Sequence, residues 1–232
     1  KKRVFVVMQN KFNLPIIKIR EDIKKNKFGK LLHGSINVRW MRDQKYYDQA
    51  KWRGTWKLDG GVISNQASHH LDLMRTIMGE PISVYAIAEK HLVKIQCEDT
   101  ALIIFKFKGK KTGIMEATTA MRPYDVEGSF SLMGSKGSAK IGGFALNKIS
   151  YYYSDSVLNK KKYSTNPSNV YGYGHIEFYK HCVSSLKKNK KSEFECFEAI
   201  KTVKLINAIY RSIETKKEIV LNSITSSKRL GN

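Results

Sequence analysis

The sequence predicts an α+β fold in which helices cover one face of an open, mostly antiparallel β-sheet. Between residues 82 and 153, short apolar and β-branched runs alternate with turn residues, which is typical of strands that follow one another in a sheet. Segments with helical spacing precede and follow these runs, so helices are available to cover the sheet. The 232 residues, 41% of them hydrophobic, are enough for one sizeable core.

The first elements follow from simple patterns. The apolar run from Arg3 to Gln9 predicts a buried strand. Pro15 marks the start of a helix whose isoleucines repeat at helical spacing, and Gly29 ends it. Alternating side chains predict a strand from Leu31 to Trp40, and the segment 41–57 is irregular and rich in aromatic residues.

The central part of the chain contains one helix and then the strands. Gly60 and Gly61 break the chain, and Ser64 is predicted to cap a helix from about Asn65 to Met78. The predicted strands that follow are Ile82–Ile95, Thr100–Phe107, Gly113–Met121, Ser129–Met133, Ala139–Ile141 and Lys148–Tyr153. Two helices, about Gly174–Leu186 and Glu195–Thr215, and a short strand, Glu218–Leu221, complete the fold.

Composition limits the classes of partner. The net charge of +22 makes nucleic acid the first partner to consider. However, only 9 of the 42 basic residues are Arg, and the Lys residues are scattered along the whole chain. Base recognition and bidentate phosphate contacts favour Arg, so this composition argues against nucleic acid as the partner. A positive field would still attract an anionic metabolite.

Several features favour a cytoplasmic protein without a metal site. No apolar run approaches the ~20 residues that a membrane helix needs, and no signal peptide is visible. We therefore expect no membrane partner. Cys97, Cys182 and Cys196 are odd in number and far apart, which argues against a disulfide framework or a zinc site.

The segment 59–73, DGGVISNQASHHLDL, is the strongest candidate for chemistry. Asn65 and His69 are four residues apart and so share a helix face, where His could transfer a proton and Asn could hold a hydroxyl group. The alternative is that His69 and His70 are ordinary helix residues. A metal site formed by the two histidines and Asp72 is a third interpretation, which the diverging directions of adjacent histidines disfavour.

Basic and aromatic residues form a second candidate site. Arg39, Arg42 and Arg53 could hold a carboxylate or a pyrophosphate, and Tyr46 or Tyr47 could stack on a ligand or form a hydrogen bond with it. The alternative is a packed aromatic loop with solvated arginines. His175 follows Tyr-Gly-Tyr-Gly at a helix start, where it could contact an anion or cap the helix. No complete GxGxxG occurs in the chain, so no dinucleotide fingerprint is present.

These motifs together resemble the C-terminal part of the Gfo/Idh/MocA oxidoreductases. The resemblance extends over nearly the whole chain, and its narrowest form is to the UDP-N-acetylglucosaminuronate 3-dehydrogenases of lipopolysaccharide sugar synthesis. The runs that support it are QNKFN before Pro15, NVRW at 37–40, YYD at 46–48, WRGTW at 52–56, and the segment from Asp59 through His69 to Asp72. Many members have Asp-x-Gly-x-His where this chain has Asn65, Ala67 and His69, and the Asn form resembles the sugar-nucleotide branch.

The resemblance implies a two-domain enzyme of which this chain is the second part. It implies a sheet like the C-terminal domains of dihydrodipicolinate reductase and glucose–fructose oxidoreductase. Residues 1–10 would be the last strand of an N-terminal Rossmann domain that binds NAD or NADP. Residues 11–232 would bind the substrate and assemble a homo-oligomer, a dimer or a tetramer, through the sheet. The catalytic lysine of a Glu-Lys-Pro motif would precede Lys1, so this segment alone would be inactive.

The resemblance also implies a role for each candidate residue. Hydride would pass from a sugar carbon, C3 of a UDP-sugar, to the nicotinamide, with His69 handling the hydroxyl proton and Asn65 orienting the sugar. The arginines, Tyr46 and His175 would bind the substrate, and Asn10 and Lys11 would lie beside the coenzyme. The alternatives are a binding or oligomerisation module without catalysis and, more remotely, a basic nucleic-acid-binding domain.

Overall fold

The computed structural model describes residues 2–155, 157–221 and 225–232. The helices are α1 (Leu14–Lys24), α2 (Gln44–Asp48), α3 (Ser68–Met78), α4 (Gly174–Lys187) and α5 (Cys196–Thr215). The strands are β1 (Leu31–Arg39), β2 (Pro81–Glu89), β3 (Thr100–Phe107), β4 (Thr112–Thr118), β5 (Glu127–Gly134), β6 (Ser138–Gly142), β7 (Lys148–Tyr153) and β8 (Ile219–Val220). Short 3₁₀ turns occur at Gln9–Phe12, Lys108–Lys110 and Lys160–Tyr163.

The described strands form one open sheet in the order β7-β6-β5-β1-β4-β3-β2-β8. The pair β1–β4 is parallel, and the other neighbouring pairs are antiparallel. The predicted α+β fold with a mostly antiparallel sheet is therefore confirmed.

The helices pack on one face of the sheet, which we call the inner face. In β3, Ala101, Ile103 and Phe105 are buried against them, while Leu102 and Ile104 alternate toward the other face and stay exposed. This period of two is what an extended chain requires when one side faces the core. The opposite surface, which we call the outer face, carries the side chains that alternate with the buried ones.

Close packing of α3 on β1 depends on a glycine. A Cβ atom at Gly34 would lie 3.0 Å from the Met78 side chain and 3.1 Å from the sulfur of Met74. The missing side chain lets the two methionines approach the strand, and this contact fixes the height of α3 above the sheet.

The N-terminal run differs from the prediction. Residues 2–8 form no strand, because Phe5 makes only an isolated bridge with Glu195 before α5. Backbone bonds from Val6 N to Phe194 O (2.8 Å) and from Cys196 N to Val4 O (3.1 Å) hold this extended chain. Its apolar side chains pack against a small second cluster, formed by Phe178 and Cys182 of α4 and by Phe194 before α5, rather than in the sheet. That residues 1–10 end a coenzyme domain stays a prediction.

The start of α3 also differs. The helix begins at Ser68, with Ala67 as an N-cap that makes no side-chain capping bond. Ser64, the predicted cap, instead donates its hydroxyl hydrogen to the carbonyl oxygen of Asp59. The residues between Gly61 and Ala67 form turns, so Asn65 precedes the helix. The end of α3 at Gly79, which has φ 93°, is as predicted.

Candidate active site

A cavity of about 400 Å³ lies where the end of β1, the start of α3 and the N-terminal 3₁₀ turn meet. Its volume is in the range of small-molecule sites. Loops before β5 and α4 complete its wall. The lining residues are Gln9, Asn10, Trp40, Met41, Arg42, Asp43, Tyr46, Asn65, Gln66, His69, Asp125, Asn169, Val170 and Tyr171.

Buried polar atoms without partners mark this cavity as a binding site. The side-chain oxygens of Gln9, Asn10 and Gln66 and Nδ1 of His69 make no hydrogen bond within the described residues. Each such buried atom costs about 1–3 kcal/mol if it remains unsatisfied. A ligand rich in hydroxyl and amide groups would supply the missing partners, so the cavity suits a polar ligand.

Asn65 is held in one orientation by Asp59. Its amide nitrogen donates to Oδ1 of Asp59 at 2.5 Å, and Oδ2 of the same carboxylate accepts from the backbone nitrogen of Gly54 at 2.8 Å. One N–H of the amide is therefore committed and the orientation of the group is set, so the carbonyl oxygen of Asn65 is left to accept a hydrogen bond from a ligand. Thus Asn65 and His69 reach the same cavity although only His69 belongs to α3.

His69 has the properties of a neutral base. Burial lowers the pKa of His69, nearby His175 lowers it further, and Asp72 opposes both effects. Its imidazole is therefore uncharged near pH 7 and can accept a proton from a bound hydroxyl group. His70 differs: it packs against Trp40 with ring centres 5.4 Å apart, and burial lowers its pKa to about 3. His70 is a core residue.

A buried ionic network holds α3 in place next to His69. Asp72 pairs with Lys11 (2.8 Å) and Arg75 (3.1 Å) and accepts the hydroxyl of Thr202 on α5 (2.9 Å). Burial works to raise the pKa of Asp72, but Lys11, Thr202 and Arg75 together hold it below its usual value. Lys11 also lies 3.4 Å from Glu193 and does not line the cavity. Its contact with the coenzyme stays a prediction.

Two of the predicted substrate-binding residues, Arg42 and Tyr46, line the cavity. Arg42 pairs with Asp125 at 3.0 Å, and its guanidinium carbon lies 5.3 Å from the centre of the Tyr46 ring. Arg53 is outside the cavity lining: it lies 4.1 Å from the same ring centre and donates to the Tyr46 hydroxyl. Arg53 therefore supports Tyr46 rather than facing a ligand.

Arg39 and His175 are placed differently from the prediction. Arg39 is on the outer face, where it makes two hydrogen bonds to Glu116 (2.7 and 2.6 Å) and one to Glu127 (2.9 Å). The structure does not bring it to the cavity. His175 is half-buried in the first turn of α4 and influences His69 electrostatically, but it does not line the cavity either.

Most residues of the cavity wall are not among the predicted site residues. Gln9 and Gln66 adjoin residues that were singled out, so their positions in the same motifs were a usable signal. Asp125, Asn169 and Val170 come from distant parts of the chain, and no local pattern marks them. Tyr171 begins the Tyr-Gly-Tyr-Gly run before His175, so that run was a usable signal.

The described residues contain neither a metal-binding cluster nor a membrane-spanning helix. Within 2–155, 157–221 and 225–232, no group of three or more His, Cys, Asp or Glu side chains is arranged to hold a metal ion. Over the same ranges no helix has the length and apolar character needed to cross a membrane.

Comparison with known proteins decides the family. Residues 16–140 match the GFO/IDH/MocA C-terminal domain. The chain belongs to the GFO/IDH/MocA family. The resemblance inferred from the motifs is therefore confirmed. At the level of sequence alone, no curated protein matches the chain significantly.

Solved structures extend this result. The WlbA dehydrogenase from Bordetella pertussis, crystallised with NADH and UDP-GlcNAcA, is 32% identical with a TM-score of 0.90; the match covers 95% of this chain and 65% of that enzyme. The WlbA dehydrogenase from Chromobacterium violaceum, in complex with the same two ligands, is also 32% identical with a TM-score of 0.87, covering 94% and 63%. This chain thus spans a little less than two thirds of both enzymes.

A more distant structure shares the fold. Levoglucosan dehydrogenase in complex with NADH is 16% identical, with a TM-score of 0.76 over 95% of this chain and 67% of that one. The two WlbA dehydrogenases both hold NADH, which supports the predicted use of a nicotinamide coenzyme in this family.

Proposed function

We propose that this chain is the substrate-binding part of an NAD(P)-dependent dehydrogenase that oxidises a nucleotide-sugar hydroxyl, at C3 of a UDP-sugar. The observation that carries the proposal is a single cavity lined by neutral His69, the oriented amide of Asn65 and the cationic Arg42. Identity of 32% to two dehydrogenases crystallised with UDP-GlcNAcA supports the choice of substrate class. A role in cell-surface polysaccharide precursor synthesis follows from that substrate class.

Each of three side chains in the cavity has a separate role in the proposed reaction. His69 accepts the proton of the reacting hydroxyl group, and the carbonyl oxygen of Asn65 accepts a hydrogen bond from a sugar hydroxyl or amide. Arg42 favours an anionic substituent of the substrate, a carboxylate or a phosphate. Its ion pair with Asp125 neutralises part of its charge. The bound coenzyme would supply the acceptor for the hydride.

The residues present also fit a nicotinamide coenzyme at the cavity. Gln9 and Asn10 offer buried carbonyl oxygens without partners, which suit a donor such as a carboxamide nitrogen. A lysine and most of the coenzyme site would come from residues outside this chain.

The test uses the full-length protein that contains this chain. With NAD⁺ and UDP-GlcNAcA, we expect NADH formation, measured by its absorbance, and slower turnover with UDP-GlcNAc, which lacks the carboxylate. His69→Ala should lower kcat by about 10²–10⁴-fold, because the proton acceptor is lost. His91→Ala, at an exposed histidine remote from the cavity, should leave kcat unchanged. Near-wild-type turnover of His69→Ala would remove His69 from the mechanism.

We also propose that copies of the chain associate through the outer face of the sheet. Exposed apolar side chains cluster there on β2, β3 and β4: Tyr85, Ile87, Leu102, Ile104 and Ile114. A contiguous apolar patch of this kind on a sheet is typical of an interface between subunits.

A further inference from the structure

The loop from Asp59 to Asn65 is held from beneath by two buried side chains. The hydroxyl oxygen of Tyr210 accepts a hydrogen bond from Gly61 N at 3.0 Å, and the same hydroxyl donates to Oε1 of Glu98 at 2.9 Å. Oε1 of Glu98 also accepts from Ile63 N at 3.1 Å. Three consecutive peptide groups are involved, because Val62 N donates to the backbone oxygen of Glu98 at 3.1 Å.

The contact between this loop and Glu98 requires a glycine. A Cβ atom at Gly61 would lie 2.2 Å from the backbone oxygen of Glu98 and 2.4 Å from its Oε1. No other residue allows so close an approach, and Gly60 adds a backbone conformation with φ 75° that favours glycine. The second glycine of the DGG motif thus serves the contact with Glu98 rather than the approach of a ligand.

The loop transmits its position to the cavity through the backbone. Asn65 N donates to Gly61 O at 3.0 Å, and Ala67 N donates to Val62 O at 2.8 Å. Asn65 and the neighbouring Gln66 line the cavity, whereas Glu98 and Tyr210 do not. Any shift of residues 61–63 therefore moves the two amides that face the ligand.

We propose that Tyr210 and the uncharged form of Glu98 are positioning residues that hold the Asp59–Asn65 loop at the cavity and loosen it when Glu98 ionises. The catalytic consequence rests on the proposed function, because it assumes that Asn65 contacts the substrate. The change in loop stability when Glu98 ionises does not depend on the proposed function.

Geometry favours the uncharged carboxyl group. Glu98 is fully buried, its Oε2 has no hydrogen-bond partner, and no ion pair to it occurs among the described residues. The groups that face it are Tyr210 on α5 and the adjacent Asp99 and Cys97, none of which is cationic. The charged groups at the edge of this cluster interact electrostatically with Cys97; they are Lys90, Arg229 and Asp59. A charge on Oε2 would therefore be buried without compensation.

Burial raises the pKa of Glu98 to about 7, with Asp99 adding to the effect and the hydrogen bonds from Ile63 and Tyr210 opposing it. A pKa raised on folding means that the uncharged form stabilises the folded loop at low pH. This contribution declines as the pH rises from the ordinary glutamate pKa and is lost above about pH 7. The loop amides should accordingly be better protected from hydrogen exchange in weak acid than in weak base.

The experiment measures amide hydrogen exchange of the loop in the full-length protein, without substrate. Glu98→Gln keeps the Oε1 acceptor and removes the charge. From about pH 6 to about pH 8.5, protection of residues 60–66 should fall on the order of tenfold in the wild type relative to Glu98→Gln, since one pKa unit corresponds to tenfold. Comparison of the two proteins at each pH cancels the intrinsic exchange rate.

Tyr210→Phe removes the hydroxyl that bridges Gly61 and Glu98, so it should lower loop protection at every pH. Tyr152→Phe is the matched control: Tyr152 also donates to a buried carboxylate, that of Asp22, but outside the cavity. That variant should leave the protection of residues 60–66 unchanged. Unchanged protection in Tyr210→Phe, or the same pH dependence in the wild type and Glu98→Gln, would overturn the proposal.

Activity adds a readout that a merely structural role would not change. If UDP-GlcNAcA is oxidised, Glu98→Gln should flatten the alkaline side of the kcat profile while leaving kcat at pH 6 within about twofold, because the loop is already held there. If kcat of Glu98→Gln declined at alkaline pH in the same way as kcat of the wild type, the proposed effect of Glu98 on turnover would be overturned. Hydrogen exchange is measured without substrate and does not depend on turnover. Failure of the proposed function can therefore be distinguished from failure of the proposal about Glu98 and Tyr210. If Glu98→Gln fails to fold by circular dichroism, the Tyr210→Phe comparison decides.

Discussion

At the scale of single residues, the candidate site depends on the direction of one amide group. Asp59 binds the nitrogen of Asn65 and the backbone of Gly54, so the side chain that faces the ligand cannot rotate freely. Burial raises the pKa of Asp59, while the bonds from Gly54 and Asn65 oppose this rise. The carboxylate is partly desolvated and depends on these two donors.

Asn65→Asp should test that arrangement. Two carboxylates 2.5 Å apart repel each other, so the pKa of the pair rises above the ordinary carboxyl value and double ionisation, at higher pH, costs free energy. We expect a loss of about 1–3 kcal/mol in the free energy of unfolding at pH 8, because an ionised pair repels and loses its hydrogen bond. The loss should shrink near pH 5, where one carboxyl group carries a proton.

The measurement is urea unfolding at both pH values. Asn159→Asp, at an exposed position, serves as the control and should change stability by less than about 0.5 kcal/mol at either pH. An Asn65→Asp protein that is equally destabilised at pH 5 and pH 8 would contradict the carboxyl-pair explanation.

The sequence identified part of this site for physical reasons. Asn65 and His69 lie close together in sequence, and a turn followed by a helix brings them to one cavity. Arg39 could have been excluded by alternation, because Ile36 and Val38 face the core and Arg39 must point the other way. Asp125 and Asn169 reach the cavity only through the tertiary fold, which no local spacing records.

At the scale of elements, α3 is the piece that carries His69, and the buried charges beside it determine where it sits. Lys11 and Arg75 approach Asp72 from the N-terminal 3₁₀ turn and from α3 itself, and Thr202 approaches it from α5. Removing one partner of a buried ionic network leaves the others uncompensated, which costs more than the pair contributes.

Asp72→Asn should therefore destabilise the protein by about 3 kcal/mol at pH 7, the low end of the range for a broken buried pair. Lys11 and Arg75 keep their charges in the interior. Among the described residues, only more exposed glutamates remain to pair with them: Glu193, Glu80 and Glu198. The folded-state pKa of Asp72 is below its usual value, so its stabilising effect is present at neutral pH and is lost as the pH falls below about 4. The difference between wild type and variant should narrow in acid.

Denaturant unfolding between about pH 3 and pH 7 checks this expectation. Glu177→Gln breaks the exposed pair with Lys180 on α4, which has a nitrogen–oxygen distance of 2.7 Å, and should cost less than about 1 kcal/mol. A similar cost for both variants would mean that the Asp72 network contributes no more than a surface pair.

Strong periodicity located several elements in the sequence, although α1 ends at Lys24 rather than at Gly29 and β2 ends at Glu89 rather than at Ile95. The alternation in β3 and the isoleucine spacing in α1 report burial directly. The start of α3 was misplaced because Ser64 looks like a cap in sequence, whereas the turn that contains it is fixed by Glu98 and Tyr210 from distant segments. The run Arg3–Gln9 has strand composition, but the described chain offers it only one short neighbour.

At the scale of the whole molecule, the outer face of the sheet has two different halves. The half formed by β2, β3 and β4, which we call the apolar half, exposes a cluster of apolar side chains around Ile104. Lys106 on β3 and Glu116 on β4 are charged residues on the same face. On β1, β5 and β6 an ionic network replaces the apolar cluster, and in that network Glu127 pairs with Arg39 (2.9 Å) and Lys140 (3.0 Å). Alternation in the sequence predicted two faces but not this division, because the division depends on strand order.

The apolar half leads to a prediction about assembly. Ile104 is 51% exposed near the middle of the apolar half, so Ile104→Lys would bring one ammonium group per subunit into a shared apolar contact. An unpaired buried charge costs several kcal/mol, so the oligomer should dissociate to monomers at micromolar concentration while each subunit stays folded. Light scattering after size exclusion gives the mass, and circular dichroism reports the fold. Val203→Lys, at a site on α5 that is 53% exposed, adds the same charge elsewhere and should keep the wild-type mass. An oligomer that survives Ile104→Lys at the same concentration would show that the subunits associate through another surface.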